Sequence, residues 1–527
     1  MLPLSDVDWG PTDAAEPDSN FLNKFVEPKQ IRLLLHQDYW IITGEKGSGK
    51  TALRKALCEK YSDNFSGIVT LDFDALEYSS ILCNLNNLAQ ITSLPRLSLL
   101  TNYWQYVLIV EGMKDFVRRN RGITDASYAL IHNYLTKNGL IEGSHLRLFL
   151  SLIAKCWTFV DSYTKPDKYH GAQDLPVLPS NLAPAVVEQV RDYPIFHGEF
   201  IETTKTFSKA LRQTNETILV VLDGFDRFEN INNIKPEVNL VFESLIEAVY
   251  CLSINAALHD VLKVKALIPH DRFLSINLRD TDKFDNKQKS IKWSYGSLQE
   301  FLSRRAALHP RLSHQSGFDK LWEEVMPREL QNPYYKIKEK SYDYLLRHTM
   351  YRPRQLQVHL RKLSGLYHGQ IIEPNMIPKA VRESCRKLVS FYVQEYFIDH
   401  PKLEKFIGRF RNKVNIMFYQ EFRAIVADAL QMFDAKEWTV EGKIDALYEM
   451  GFFGIIQPIK DHQRSMDDEY EYLPPRKAGV EPYRTLFYYK NPRAKIINQL
   501  HDQDLIAIHP MFFDMADMTP HPDMIVG

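Results

Sequence analysis

The sequence predicts an α/β fold built around a parallel sheet, and three observations support this prediction. Short apolar runs rich in Val, Ile and Leu recur between residues 39 and 294, as strands buried on both faces of a sheet require. Helical stretches separate these runs, which is the alternation typical of parallel sheets. A glycine-rich turn joins the first run directly to a helix.

Composition narrows the class of protein and its compartment. The 527 residues carry 65 Lys and Arg against 66 Asp and Glu, and a net charge of −1 argues against a globally basic nucleic-acid coat. The five cysteines form no CxxC pair, which favours reduced thiols over a zinc or disulfide framework. No apolar run approaches the roughly 18 residues that span a bilayer, and the acidic first residues do not resemble a signal peptide. We therefore predict a cytoplasmic protein without a membrane segment.

The elements are expected in the following order. A helix is predicted over roughly Phe21–Gln37, where apolar residues recur at three and four positions. Strands are predicted at YWIIT before the glycine turn, IVTLDF at 68–73, ETILVVLD from 216, VLKVKALIP from 261 and SIKWS at 290–294. The predicted organisation is a flexible arm at 1–20, a core at 21–310 with a helical insertion at about 75–215, a helical lid at 311–400 and a C-terminal module at 401–527.

The glycine-rich turn carries the most specific motif. Its residues match GxxxxGK(S/T) in full, between a strand and a helix, which is the context a phosphate-binding loop needs. Glycines let the backbone N–H groups face phosphate oxygens, and the helix adds its positive N-terminus. The lysine would reach the β- and γ-phosphates, and the hydroxyl would contact Mg²⁺. The alternative is a surface turn with an exposed lysine. The candidate nucleotide-binding residues are Gly44, Glu45, Lys46, Gly47, Ser48, Gly49, Lys50 and Thr51.

A metal partner is expected at the end of a neighbouring buried strand. The run ILVVL ends in Asp223, which we predict to act with Thr51 on Mg²⁺. A turn-starting Asp is the alternative. Asp226 is the candidate for polarising the attacking water, with Glu229 behind it, although Asp226 could equally pair with Arg227.

Cations that could contact the γ-phosphate follow later in the chain. His270 and Arg272 stand after the VLKVKALIP run, where they would either sense phosphate or cap the sheet. Arg352 and Arg354 flank the proline that begins a helix. If both were helical they would point about 200° apart, so one at most would face nucleotide. The adjacent arginines Arg304 and Arg305 are either catalytic fingers or part of a solvated face.

Together these segments resemble a known group of proteins. GEKGSGKT, LVVLDGFDRF, KALIPHDRF, IKWS with LQEFLSRR, and TMYRPRQLQ follow one another as in AAA-like and STAND-like P-loop ATPases. The chain most resembles the bacterial ATPases similar to origin-recognition proteins, many of them linked to phage defence. The resemblance covers roughly residues 21–365. It implies an ASCE-type P-loop core that uses ATP and Mg²⁺, with sensor 1 at His270 or Arg272 and sensor 2 at Arg352 or Arg354.

Two departures from this pattern bear on function. AAA-type enzymes usually follow the metal Asp with a catalytic Glu, but Gly224 stands here, which argues against fast hydrolysis and favours the STAND-like pattern with a second Asp. The long stretch between Lys50 and Asp223 exceeds one βα unit, so a helical insertion is expected, and its surface could bind a partner.

The C-terminal region, roughly 400–515, resembles a winged helix. EWTVEGKIDALYEMGFFGII would supply a recognition-type helix and a strand, and YRTLFYYK the returning strand. Contact with DNA phosphates or docking to a protein are equally compatible with this module. Its basic residues form two clusters separated by an acidic stretch that begins at Asp461: Lys402, Lys405, Arg409, Arg411 and Lys413, and then Arg484, Lys490, Arg493 and Lys495.

Three functions are consistent with these patterns. The first is an ATP-driven switch in phage defence that assembles with itself or with an effector protein. The effector would be separately encoded, since no effector motif is visible in the chain. The second is a DNA-binding replication or partition loader, whose DNA binding would depend strongly on salt. The third is a scaffold that holds ATP with little turnover.

Overall fold

The structure, a computed structural model, divides into two compact units. The first, called here the sheet unit, comprises Lys29–Ile291; the second, the split unit, is built from two chain segments, Met1–Pro28 and Lys292–Gly527. The structure describes residues 1–28, 35, 40–72, 96–120, 125–141, 198–225, 235–276, 284, 287–333, 335–397, 399–433, 435, 438–459, 483–488, 500–513 and 515–526.

The described helices and strands are numbered in chain order. The helices are α1 (Phe21–Lys24), α2 (Lys50–Glu59), α3 (Arg96–Arg119), α4 (Ala126–Lys137), α5 (Gly198–Gln213), α6 (Lys235–Ile254), α7 (His270–Ser275), α8 (Tyr295–Ala306), α9 (Phe318–Glu323), α10 (Ser341–Arg347), α11 (Pro353–Leu366), α12 (Met376–Glu395), α13 (Leu403–Ile407), α14 (Tyr419–Met432) and α15 (Val440–Glu449). The strands are β1 (Ile41–Gly44), β2 (Gly67–Asp72), β3 (Ile218–Asp223), β4 (Leu262–Pro269), β5 (Gln288–Ser290), β6 (Glu329–Gln331), β7 (Lys338–Lys340), β8 (Ile416–Phe418), β9 (Phe453–Pro458), β10 (Tyr483–Leu486) and β11 (Leu505–Ile508).

The sheet unit contains an all-parallel sheet with the strand order β2-β3-β4-β1-β5 among the described residues. The prediction of an α/β fold with a parallel sheet is therefore confirmed. The register pairs Gly44 with Pro269 and Asp72 with Asp223, so the carboxyl ends of four strands meet at one edge. This edge is called the carboxyl edge below.

The sheet owes its stability to burial on both faces. Residues of β3 are buried throughout, and alternate ones, Ile218, Val220 and Leu222, join a core formed with α3, α5 and α6. Inside this core the Trp104 indole N–H donates to Ser244 Oγ at 3.1 Å, which links α3 to α6. The helices α3, α4 and α5 occupy the described part of the stretch between β2 and β3, where the helical insertion was predicted.

A large apolar core extends through the split unit. That core includes residues of α8 and α12 together with Phe406, Phe453 and Phe512 from the C-terminal region. The predicted lid and C-terminal module therefore share this core, and a smaller separate cluster lies around Phe487. The sheet unit ends at Ile291 and not near 310, because α8 packs in the split unit.

The first 20 residues differ from the flexible arm that was predicted. Leu4, Val7 and Trp9 are buried in the core of the split unit, and the Trp9 indole N–H donates to the Leu4 carbonyl at 3.2 Å. The scarcity of regular structure made this segment look loose, but its apolar side chains fill the core.

Two predicted elements have different bounds in the structure. The helix expected over 21–37 is interrupted: α1 ends at Lys24 and Phe25–Pro28 are not helical, since a residue that precedes proline disfavours the α conformation, whereas Leu35 is helical. Residues 29–34 and 36–39 lie outside the described part. The strand expected at 290–294 is Gln288–Ser290 instead, because Ser294 forms a capping box with Ser297 at the start of α8.

The C-terminal part of the split unit has an antiparallel sheet with the order β10-β9-β11-β8. The predicted returning strand is β10, which pairs with β9. The sequence analysis missed β11, which lies between β9 and β8. The helices α14 and α15 stand between β8 and β9 along the chain.

Candidate functional site

The glycine-rich turn runs from the end of β1 to the start of α2. Gly47 and Gly49 have φ values of 82° and 103°, which side chains rarely adopt. A Cβ on Gly44 would lie 2.4 Å from Ser48 Oγ. The Ser48 N–H donates to the Glu45 carbonyl at 3.0 Å and closes the turn. The backbone path therefore requires glycine at positions 47 and 49, and a side chain at position 44 would displace that of Ser48.

Lys50 is the first residue of α2 and is only 4% exposed. Its Nζ donates to the Gly44 carbonyl at 2.8 Å and to the Glu45 carbonyl at 3.3 Å, so the ammonium group sits within the turn. Thr51 follows in the first turn of α2 and is partly exposed, as are Glu45 and Lys46. The first N–H groups of a helix lack intrahelical acceptors and carry a partial positive charge, which suits an anion.

Asp223, the candidate metal residue, ends β3 at the carboxyl edge and is 4% exposed. Its Oδ2 lies 3.3 Å from Arg54 Nε, and Nη1 of the same guanidinium lies 3.2 Å from Asp72 Oδ2. Sequence reasoning missed both Arg54 and Asp72. A signal existed for each: Arg54 is four residues after Lys50 on one helix face, and Asp72 ends an apolar strand in the same way as Asp223.

The end of β4 lies between β1 and β3 at the carboxyl edge. His270 begins α7 there and is partly exposed, whereas Arg272 is buried with its Nε 3.4 Å from Asp271 Oδ2. The structure thus brings His270 and Arg272 to the same sheet edge as the glycine turn and Asp223. The guanidinium of Arg272 is held by an adjacent carboxylate.

The residue after Asp223 has a conformational reason to be glycine. Gly224 has a φ of 89°, so a glutamate at this position would be strained. Asp226 and Glu229, the predicted water-polarising residues, lie outside the described residues, which resume at 235. The local backbone therefore accounts for the departure from the usual Asp-Glu pair.

Arg304 and Arg305 bind the N-terminal segment of the split unit. Arg304 donates to the Phe25 carbonyl at 2.8 Å and pairs with Glu300. Arg305 donates to the carbonyls of Trp9 and Lys24 at 3.1 and 3.0 Å. Burial lowers the pKa of Arg305 to about 9, despite the opposing effect of nearby acids. Arg305 therefore belongs neither to a solvated face nor to an exposed finger.

The two arginines around Pro353 also have partners within the split unit. Arg352 precedes α11 as its N-cap and is 5% exposed. Its Nη1 bonds both carboxylate oxygens of Glu395 in α12, at 3.0 and 2.8 Å. Arg354 Nε donates to the Thr12 carbonyl at 3.1 Å. The expectation that both arginines project from one helix is wrong, because Arg352 lies outside the helical turn.

Three of the six described basic residues in the two C-terminal clusters lie next to acids. Arg409 contacts Asp428, and Arg411 lies 2.7 Å from Asp517. Lys413 is 4.0 Å from Glu421, and Lys402 Nζ donates to the carbonyl of Phe433. Lys405 and Arg484 also lie in the described part. Lys490, Arg493, Lys495 and the acidic stretch from Asp461 lie outside it.

The helix predicted to be of the recognition type, α15, presents acidic rather than basic side chains. Its lysine, Lys443, is buried and its Nζ lies 2.8 Å from His400 Nδ1. Glu441 and Glu449 are exposed, and Glu441 pairs with Arg423 at 2.7 Å. Phosphate contacts need exposed cations, so this helix is poorly suited to enter a DNA groove.

The part of the chain that the structure describes contains neither a cluster of metal ligands nor a membrane-spanning helix. No group of three or more His, Cys, Asp or Glu side chains there is arranged to hold a metal ion. No described helix is long and apolar enough to cross a membrane. The carboxyl edge of the sheet unit is therefore the candidate site.

Comparison with known proteins adds no relative to this picture. No family model matches the chain, and no curated protein matches it either.

Proposed function

We propose that the chain binds ATP with Mg²⁺ at the turn between β1 and α2 and hydrolyses it slowly, as a switch for assembly. The observation that carries this proposal is the glycine turn, with Lys50 buried inside it at the start of a ten-residue helix. The order of the sheet supports it too, since an ASCE-type core has one strand between the two motif strands, and β4 lies between β1 and β3.

The described residues fit a magnesium nucleotide. Thr51 offers a hydroxyl and Asp223 a buried carboxylate, and Mg²⁺ prefers such oxygen groups while keeping several waters. When bound, the cation supplies charge neutralisation for the phosphates. Lys50 and the N–H groups at the start of α2 hold and orient the phosphates, because the Lys50 ammonium lies within the turn and the N–H groups carry a partial positive charge.

The switch and its partner rest on the resemblance to defence-linked ATPases. Under this proposal His270 or Arg272 responds to the γ-phosphate from the end of β4, and Asp226 with Glu229 polarises water. Assembly is with further copies of the chain or with a separately encoded effector protein, in the cytoplasm. A winged-helix role for the C-terminal region is part of the same proposal, with protein docking as its task, because α15 exposes Glu441 and Glu449.

A scaffold that holds ATP with little turnover is the second candidate. The positive φ of Gly224 favours it, because the backbone there disfavours the acidic residue that fast enzymes use. Turnover separates the two functions: phosphate release per protein well above one equivalent supports the hydrolysing switch.

The test is equilibrium binding of a fluorescent ATP analogue with and without Mg²⁺, together with phosphate release. We expect Lys50→Ala to weaken nucleotide binding by about a hundredfold or more, since it removes the cation at the centre of the turn. Lys46→Ala is the matched control, because Lys46 is the motif's other lysine and occupies a variable position; it should bind normally. Failure of the parent protein to bind ATP, or parental binding by Lys50→Ala, would overturn the proposal.

A further inference from the structure

Three charged side chains meet at the carboxyl edge beside the glycine turn. Arg54 stands one turn after Lys50 in α2, and the side chains of both residues lie on one face of the helix. Its guanidinium lies between two carboxylates, 3.3 Å from Asp223 Oδ2 through Nε and 3.2 Å from Asp72 Oδ2 through Nη1. The register of β2 and β3 places Asp72 directly beside Asp223.

The charges of this trio do not cancel. Within the trio one guanidinium faces two carboxylates, whereas Asp223 with Arg54 alone would be a one-to-one pair. The side chain of Asp223 is 5% exposed and that of Arg54 18%, so screening by solvent is limited. The side chain of Asp72 is 38% exposed and faces more water.

We propose that Asp72 is a positioning residue whose carboxylate offsets the positive charge of Arg54. The carboxylate of Asp223 can then attract a divalent cation. This inference rests on the proposed function, because the cation in question is the one that accompanies ATP. Arg54 orients both carboxylates through its planar fork, and Asp72 supplies the second negative charge. Neither residue needs to touch the nucleotide.

A purely structural role is the alternative. In that case Arg54 with Asp72 only ties α2 to β2, and each loss weakens the sheet unit. The two roles predict different results for the double variant. Charge compensation predicts that removing Arg54 restores what removing Asp72 impairs, whereas a structural tie predicts that two losses are no better than one.

The experiment measures the Mg²⁺ concentration needed for half-maximal retention of a fluorescent ATP analogue, at constant ionic strength. We expect Asp72→Asn to raise this concentration roughly tenfold, because one unit charge is lost a few ångströms from the site. The double variant Arg54→Ala with Asp72→Asn should return to within about threefold of the parent, since it restores the net charge. Asp72→Glu, which keeps the charge, should stay close to the parent.

Asp260→Asn is the matched control. Asp260 also pairs with an arginine of the sheet unit, Arg212, at 2.8 Å, but among exposed side chains away from the carboxyl edge. It should leave the Mg²⁺ requirement unchanged. Thermal unfolding without nucleotide checks that each variant is folded. If Asp72→Asn does not fold, Asp72→Ser provides a second variant without the charge.

The outcomes separate this inference from the proposed function. A parent protein that retains no ATP overturns both. Parental Mg²⁺ dependence in Asp72→Asn, or a double variant as impaired as Asp72→Asn, overturns the charge-compensating role alone. A raised Mg²⁺ requirement that the loss of Arg54 reverses supports it.

Discussion

The two units use buried charge in different ways. In the sheet unit, polar side chains collect at the carboxyl edge, where Lys50, Asp223 and Arg272 are buried at the ends of neighbouring elements. In the split unit, several buried charges form pairs between neighbouring elements, such as Arg352 with Glu395 of α12, and Arg347 of α10 with Glu339 of β7 at 3.1 Å. Parallel strands must all end at the same edge, so they gather polar groups at one place; a helical core has no such edge.

This difference teaches where a sequence motif can be trusted. The position of a motif at a strand end is fixed by the position of that strand in the sheet. An arginine at a helix start can instead form an ion pair inside its own unit, as Arg352 does with Glu395. We expect three measurements to sharpen or break the contrast.

The largest effect is expected for Arg352→Ala. It leaves Glu395 buried without its guanidinium, and breaking a buried pair in this way costs about 3–5 kcal/mol. The unfolding transition of the split unit, followed in urea, should therefore move to lower denaturant. The matched control is Arg411→Ala, whose pair with Asp517 is exposed and is worth about 0–1 kcal/mol.

The opposite result would break the comparison. If Arg352→Ala unfolds like the parent and instead abolishes the response to ATP, Arg352 acts as the sensor that the resemblance implies, and its pair with Glu395 is incidental.

A smaller effect is expected from acid. His359 is fully buried on α11, with Nδ1 2.6 Å from Ser384 Oγ, and burial lowers its pKa from 6.5 to about 4. In the unfolded chain the His359 imidazole therefore binds a proton below about pH 6.5, whereas in the folded protein it does so only near pH 4. Stability is full above pH 6.5 and falls by about 3 kcal/mol across this window. Burial also lowers the pKa of His348, which adds to the same trend.

The slope of stability against pH is the measurement. Between pH 6.5 and 4.5, the slope of the unfolding free energy against pH should be smaller in His359→Gln by the contribution of about one proton. This holds whatever the absolute stability of the variant. His368→Gln, at an exposed position after α11, should keep the parental slope. An unchanged slope in His359→Gln would show that the histidine is not held neutral by burial.

The smallest effect is expected for Arg354→Ala. It removes one hydrogen bond to the Thr12 carbonyl and some packing, a loss of about 1 kcal/mol. Urea unfolding should show a slight shift, and ATP binding should be parental. Arg361→Ala, at an exposed position of α11, should be silent. A large loss of ATP response with Arg354→Ala would move the sensor to this residue.

The sequence predicted much of the sheet unit because its signals are local. The apolar runs located β1 to β4 within a residue or two, and the positive φ of Gly47 and Gly49 explains why the motif has glycine there. The bounds of β5 were missed because the capping box at Ser294 was not recognised. A strand of four residues such as β11 is too short to show a period.

Other features depend on contacts between distant parts of the chain. The bridge from Arg54 to Asp72 and Asp223 requires the register of β2 against β3, which no single segment reveals. The pairs of Arg305 with the Trp9 carbonyl and of Arg352 with Glu395 join residues far apart in sequence. Such pairings decide whether a charged residue is available to a ligand, and the amino-acid pattern alone does not contain them.

The split unit's construction has a consequence for biosynthesis. Leu4, Val7 and Trp9 can reach their core only after α8 and α11 have been made, because those helices complete it. At about 5–20 residues per second, the ribosome needs on the order of tens of seconds to deliver them. During that interval the sheet unit can fold alone, while the first apolar residues stay exposed and are candidates for chaperone binding. The order of translation thus makes the sheet unit the first part of the protein to mature.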